Sequence, residues 1–235
     1  MNIFIKRFFL LAIVMLATNV VKAQIGYDYA QYDLGLGLDF NKAYTDAQTI
    51  TGTRSGRLMF NYNVSPFVNY IIEVQTGTLR GGDSLKTSSG RQFTNSYTAI
   101  MMRGQLQMGE LIDYSGSRVA NAFKNLYLST GIGMIYNHMT EINRASIQVP
   151  GFYTTGENNS NELVIPARIG YEFKFYNKYS EPGFKIDIGY QQNFILGDGL
   201  DGFTAGKQRD NYSQISIGFK VAIGGVATYR KQISY

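Results

Sequence analysis

The feature that most restricts this chain is an alternation of period two that recurs from about residue 32 to residue 223. The last three segments carry it most cleanly. Leu163, Ile165, Ala167, Ile169, Tyr171, Phe173 and Phe175 oppose Arg168, Gly170, Glu172 and Lys174. Phe184, Ile186, Ile188 and Tyr190 oppose Lys185, Asp187, Gly189 and Gln191, and Ile215 to Ile223 oppose Gln214, Ser216, Gly218 and Lys220. Successive side chains of a strand point to opposite faces, so each segment has one apolar and one polar face. Leu34, Leu36, Leu38 and Phe40 repeat the pattern against Asp33, Gly35, Gly37 and Asp39. So do Leu58 to Val64, Val68 to Val74 against Asn69, Glu73 and Gln75, and Leu126 to Met134. A segment around Thr94 to Leu106 has no clean phase and suggests a bulge. No 3.6-residue period competes over comparable lengths, so the chain is all-β.

Alternation alone leaves open which face is outside. A soluble barrel or sandwich buries the apolar face, whereas a membrane barrel turns it to lipid. Glycine decides between them. Gly35, Gly37, Gly131, Gly133, Gly170, Gly189 and Gly218 fall on the polar face, while the bulky Leu, Ile, Phe and Tyr fall on the other. The concave interior of a small closed barrel is crowded and favours small residues among paired polar ones. The expectation is a transmembrane antiparallel up-and-down β-barrel of eight strands, with ten the alternative count, and residues 107–124 either extend two strands or hold a short helix. Its connectors fit. With the N-terminus periplasmic, the outer links (about 41–57, 78–92, 138–162 and 195–211) are long, and Ser65-Pro66 and 176–183 are short. The 107–124 link is the exception, a long segment where a tight inner turn belongs.

Composition excludes several classes. With no Cys and one His among 235 residues, disulfide scaffolds, cysteine-ligated metals and multi-histidine sites are impossible. Residues 1–23 read as a secretory signal: Lys6 and Arg7, an apolar Phe8–Leu16, then Val21-Lys22-Ala23 with cleavage between Ala23 and Gln24. Cleavage there removes three of the 22 Lys and Arg, leaving 19 positives against 17 negatives. No clustered basic footprint remains, so nucleic acid is not an expected partner. Residues 24–235 form one barrel domain, with 224–235 expected as a periplasmic tail.

Signal peptide, Tyr-rich strands, Ser65-Pro66, Leu-Tyr-Leu-Ser-Thr-Gly-Ile-Gly (126–133) and Ile-Pro-Ala-Arg-Ile-Gly-Tyr-Glu-Phe-Lys-Phe (165–175) together resemble small outer-membrane β-barrel proteins of the Bacteroidota. Gly197-Asp198-Gly199-Leu200-Asp201-Gly202-Phe203 and the final strand with Ile217-Gly218-Phe219 add to it. The group is similar in architecture to the transmembrane domain of OmpA and to PorT-like proteins. The resemblance implies a fold and a Gram-negative outer-membrane location in contact with lipid; the expected role, envelope structure or docking for larger machinery such as secretion-system proteins, is a separate reading. It departs at the end of the chain, where Gly224-Gly225 and a polar tail follow Ile223.

The candidate site is the polar face itself. Asp33, Asp39, Glu73, Glu172 and Asp187 stand against Arg168, Lys174, Lys185 and Lys220, near balance, with Arg103 in the ambiguous segment. Charges enclosed in a narrow lumen must be paired. The expected role is a structural ion-pair plug, with a gated narrow pore second. His138 is the one imidazole base, and some small outer-membrane barrels modify lipid A with a His and Ser pair. Ser129 and Glu141 are its available partners, but no His-x-Ser motif is present, so an enzyme is not expected. Asp198-Gly199-Leu200-Asp201-Gly202 lacks the ligand spacing of a calcium loop and reads as turn chemistry. No cofactor or metal is expected. The loop with Val149-Pro150-Gly151-Phe152-Tyr153 is long enough to meet a partner but names none.

Overall fold

The computed structural model describes residues 26–47, 49–85, 87, 89–178, 182–204 and 209–230. The signal segment and its Ala23–Gln24 junction lie outside them. The described chain is one closed sheet of eight antiparallel strands, each paired with its neighbours in sequence and the last with the first. The strands are β1 (Gly26–Tyr44), β2 (Ile50–Asn63), β3 (Val68–Gly82) and β4 (Gln92–Gln107). After two short helices, α1 (Met108–Leu111) and α2 (Arg118–Phe123), follow β5 (Leu126–Asn143), β6 (Asn159–Tyr176), β7 (Pro182–Ile195) and β8 (Asn211–Arg230). Closure runs through β1 and β8, with Leu36 opposite Phe219 and Leu38 opposite Ile217. A closed barrel leaves no unpaired strand edge around its wall.

The wall is inside-out relative to a soluble protein. Leu34, Leu36, Leu38, Ile169, Ile188, Ile215, Ile217 and Phe219 are exposed on the outer surface. Asp33, Asp39, Glu73, Arg168, Glu172, Lys185, Asp187 and Lys220 are buried. Gly37 shows why the inner face needs glycine. It sits opposite Arg57, and a Cβ there would lie 2.6 Å from the Arg57 Nε. Gly189 likewise leaves room for Arg168, whose Nη2 would be 2.9 Å from an added Cβ.

Three readings from sequence are corrected. The link placed at 41–57 is mostly strand, since Phe40 pairs with Arg54 and Lys42 with Gly52 before a turn at 45–49. The link read at 138–162 shortens to 144–158 between β5 and β6, while the link read at 195–211 stands almost unchanged, at 196–210. Strands of 14 to 20 residues are longer than the ~9–11 that a tilted strand needs to cross a bilayer. Past the apolar band the outward row turns polar, as at Lys42 and His138, while the inward row joins an apolar cluster, as at Ala43 and Met139, so the alternation changes its sense and no longer marks the strand. The last strand does not stop at Ile223 either. It continues to Arg230, and Gly224-Gly225 form a bulge opposite the Ala30–Tyr32 step of β1, with Gly224 at φ +82°.

β4 has no clean phase for a physical reason. Its inward row is Phe93, Asn95, Tyr97, Ala99, Met101, Arg103, Gln105 and Gln107, apolar at one end and polar at the other, with a register shift at Thr94/Asn95. With the end of the barrel that holds Gly26 and Arg230 called its inner end, the buried ion pairs of the lumen lie in its inner part. Its outer part holds an apolar cluster of Leu79, Phe93, Tyr97, Met101, Ile135, Val164, Ile195 and Tyr212, joined by Leu200 and Phe203 from the β7–β8 loop.

Candidate functional site: the bridged lumen

Asp187 on β7 is the hub. It receives the Arg168 guanidinium from β6 in a very short contact, and Tyr127 from β5 donates its hydroxyl to Oδ2 at 2.7 Å. Arg57 on β2 reaches it from the other side at 3.4 Å and bridges on to Asp39 at 3.2 Å, while Lys220 lies 3.7 Å away. Beside this hub Lys220 pairs with Glu172 at 2.7 Å, Lys185 with Asp33 at 2.7 Å, and Arg103 with Glu73 at 2.7 Å. These groups are almost wholly withdrawn from solvent, where an ion stripped of its partner is strongly penalised.

Contacts also cross between strands that are not neighbours. Gln75 on β3 donates to Gln214 on β8 at 3.0 Å, and Asn41 on β1 donates to the Tyr97 hydroxyl of β4 at 3.3 Å. The Tyr97 and Tyr212 rings, from strands on opposite sides of the wall, meet at 5.8 Å. The lumen is filled by its own side chains, as the size of an eight-stranded barrel allows.

Both ends are closed over. At the inner end Lys174, read from sequence with the luminal charges, lies 3.9 Å from Glu172, donates to the Gln107 side chain at 2.7 Å and to the Pro66 carbonyl, and lies over the Phe67 ring. Phe67 is buried under Gly109 of α1 and meets Tyr229 edge-on. At the outer end Asn95 donates to the Leu200 carbonyl at 2.8 Å, and Arg91 lies over the Phe203 ring. Asp201 accepts from the Phe203 backbone N–H at 2.9 Å and Asp210 from that of Leu200 at 3.0 Å, so both carboxylates shape the loop that caps the lumen.

Asp33, Asp39, Glu73, Arg168, Glu172, Lys174, Lys185, Asp187 and Lys220 thus share one interior with named partners. Sequence reasoning missed Arg57, because β2 was begun at Leu58; the same two-residue step carried back from Met59 reaches it. Tyr127 alternates with Leu126 and Leu128, which puts it on the polar face, but nothing in the sequence marks its role at Asp187. His138 faces outward, its Nδ1 2.6 Å from the Asn159 Oδ1. Ser129 lies nine residues away on the inner face of the same strand, ~30 Å at the usual rise, and bonds Arg103. Glu141 instead faces Thr94 and Arg80, so these three side chains are not assembled.

No protein-family model matches the sequence, and no curated protein matches it. Among solved structures, the chain is similar to Neisserial surface protein A, with TM-score 0.47 and 12% identity over 83% of this chain and 98% of that one. Ail, the attachment invasion locus protein of Yersinia pestis, gives 0.46 and 12% over 82% and 98%. The outer membrane protein OprG of Pseudomonas aeruginosa gives 0.37 and 10% over 85% and 99%. These are likenesses of architecture at low identity, and no residue role passes from them to this chain.

Proposed function

We propose that this chain is an integral outer-membrane β-barrel of a Gram-negative envelope, of the small Bacteroidota type its sequence resembles, with no catalytic role. Both the mature N-terminus and the end of β8 lie on the periplasmic side. In this reading it is a sealed, rigid peg that holds its outer loops and inner rim for structure, or for docking envelope or secretion-system proteins. One observation carries the reading: an apolar outer wall surrounds a lumen bridged from side to side by Arg57, Asp187, Arg168 and Lys220. A wall of this polarity is stable only where lipid replaces water, and an interior so bridged leaves no continuous aqueous path. Purified protein in planar bilayers is expected to give no stable channels. Long-lived openings of constant size would contradict the sealed peg. They would favour the second reading, a narrow gated pore, for which the shared claim of three cations on Asp187 supplies alternative partners.

A further inference from the structure

The long inner link between β4 and β5 stands apart from the other inner turns, and its position explains its length. Ser117 caps α2 by accepting from the Ala120 N–H at 3.3 Å. α1 is tied inward, with the Gly109 N–H donating to the Lys124 carbonyl at 2.7 Å. α2 is tied outward. The hydroxyl of Tyr171 donates to the Ala122 carbonyl at 2.7 Å, and Tyr171 belongs to the outward row of β6 with Ile169 and Phe173. The short helix therefore rests against the outside of the wall, at the rim where the apolar band ends. From there Val119 and Phe123, one turn apart on a single face, are 66% and 53% exposed, and Leu111 is 65% exposed. Arg118 is exposed beside them.

We infer that Val119 and Phe123 are seated in the headgroup boundary of the periplasmic leaflet, making this link an interfacial membrane anchor. The occupant is phospholipid rather than protein for two reasons on the molecule. The patch is continuous with the lipid-facing row of Ile169 and Leu128, since Tyr171 joins the two. It also offers only two large side chains, far less than the ~800 Å² per partner of a standard protein interface. An apolar face with a flanking cation is the composition that settles at a bilayer surface, where the long arginine stem lets its charge reach phosphate.

The inference rests on the membrane reading, and one experiment separates the two. The chain contains no Trp, so a single introduced indole reports alone. Phe123→Trp and, as a second position on the same face, Val119→Trp are refolded into vesicles of phosphatidylethanolamine and phosphatidylglycerol that carry brominated acyl chains. Leu128→Trp on the strand wall is the companion. The anchor predicts that both helix positions are quenched severalfold more by bromines near the headgroup than by deep bromines, and are shielded from aqueous acrylamide. Leu128→Trp is expected to be quenched by bromolipid as well. Helix indoles quenched by acrylamide and not by bromolipid, beside a quenched Leu128→Trp, overturn the anchor alone. Indoles shielded from both quenchers only at high protein-to-lipid ratio mark a second copy as occupant and overturn it too. An unquenched Leu128→Trp overturns the membrane reading beneath it.

Discussion

At the residue scale, the interior is arranged so that no charge can be removed singly without exposing another. Asp187 alone satisfies Arg168, Tyr127 and part of Arg57 and Lys220. Asp187→Asn is expected to destabilise the refolded barrel by about 3–5 kcal/mol, because it leaves buried cations uncompensated. Denaturant unfolding followed by the mobility shift of folded barrels in gels measures it; an unchanged midpoint would mean those cations are hydrated. The pair Arg103–Glu73 makes the complementary case. Removing both charges together, as Arg103→Met with Glu73→Leu, is expected to cost far less than Glu73→Leu alone, since no ion is then orphaned. Additive losses would contradict that.

At the scale of elements, strand placement was legible and strand length was not. Ile215 to Ile223 alternate because one side faces the apolar exterior and the other the lumen. Lys42, Ala43 and Tyr44 continue β1 outside that gradient, so nothing in their order marks them as strand. β4 hid its phase because Phe93, Tyr97 and Met101 point inward, into an apolar pocket that alternation alone assigns to the outside. The β7–β8 loop was read as a turn, and it does turn. Its larger role, seating Leu200 and Phe203 in the mouth, depends on partners such as Asn95 and Leu79 more than a hundred residues away. Phe203→Ala is expected to cost about 3 kcal/mol, the usual loss for a buried ring, read from the same unfolding curves.

The same loop carries a pH dependence. Burial first, then Asp46 and Asp198, push Asp201 up to about 6; burial first, then Asp201, Asp198 and Asp46, push Asp210 up to about 8. Arg91 over Phe203, Arg144 on the Gly202 carbonyl and Arg209 beside Asp210 in sequence are cations of the same loop region among the described residues. Folded values above the ordinary carboxylate range mean the closed loop favours the protonated acids. Their stabilising contribution is full below about pH 4 and is lost as pH rises through 6 and then 8. Protease nicking of the loop is therefore expected to quicken between pH 5 and about pH 9, and Asp210→Asn to flatten the upper part of that rise. Faster nicking at low pH would reverse the sign and contradict the assignment.

At the scale of the whole molecule, the account reduces to polarity: a cylinder greasy outside, ionic within its inner half, apolar at its outer mouth and covered at both ends. Peg and pore, docking rim and loop platform all presuppose it. Since the chain has no native Cys, single cysteines along β8 can carry a spin label without background. The decisive measurement is the accessibility of labels at 214 to 221 to dissolved oxygen, which concentrates in lipid, and to a water-soluble nickel chelate. Labels at Ile215, Ile217, Phe219 and Val221 are predicted to relax with oxygen and ignore nickel, while those at Gln214, Ser216 and Gly218 are shielded from both. Nickel access at the odd positions, or a pattern without the two-residue step, would contradict the inside-out barrel.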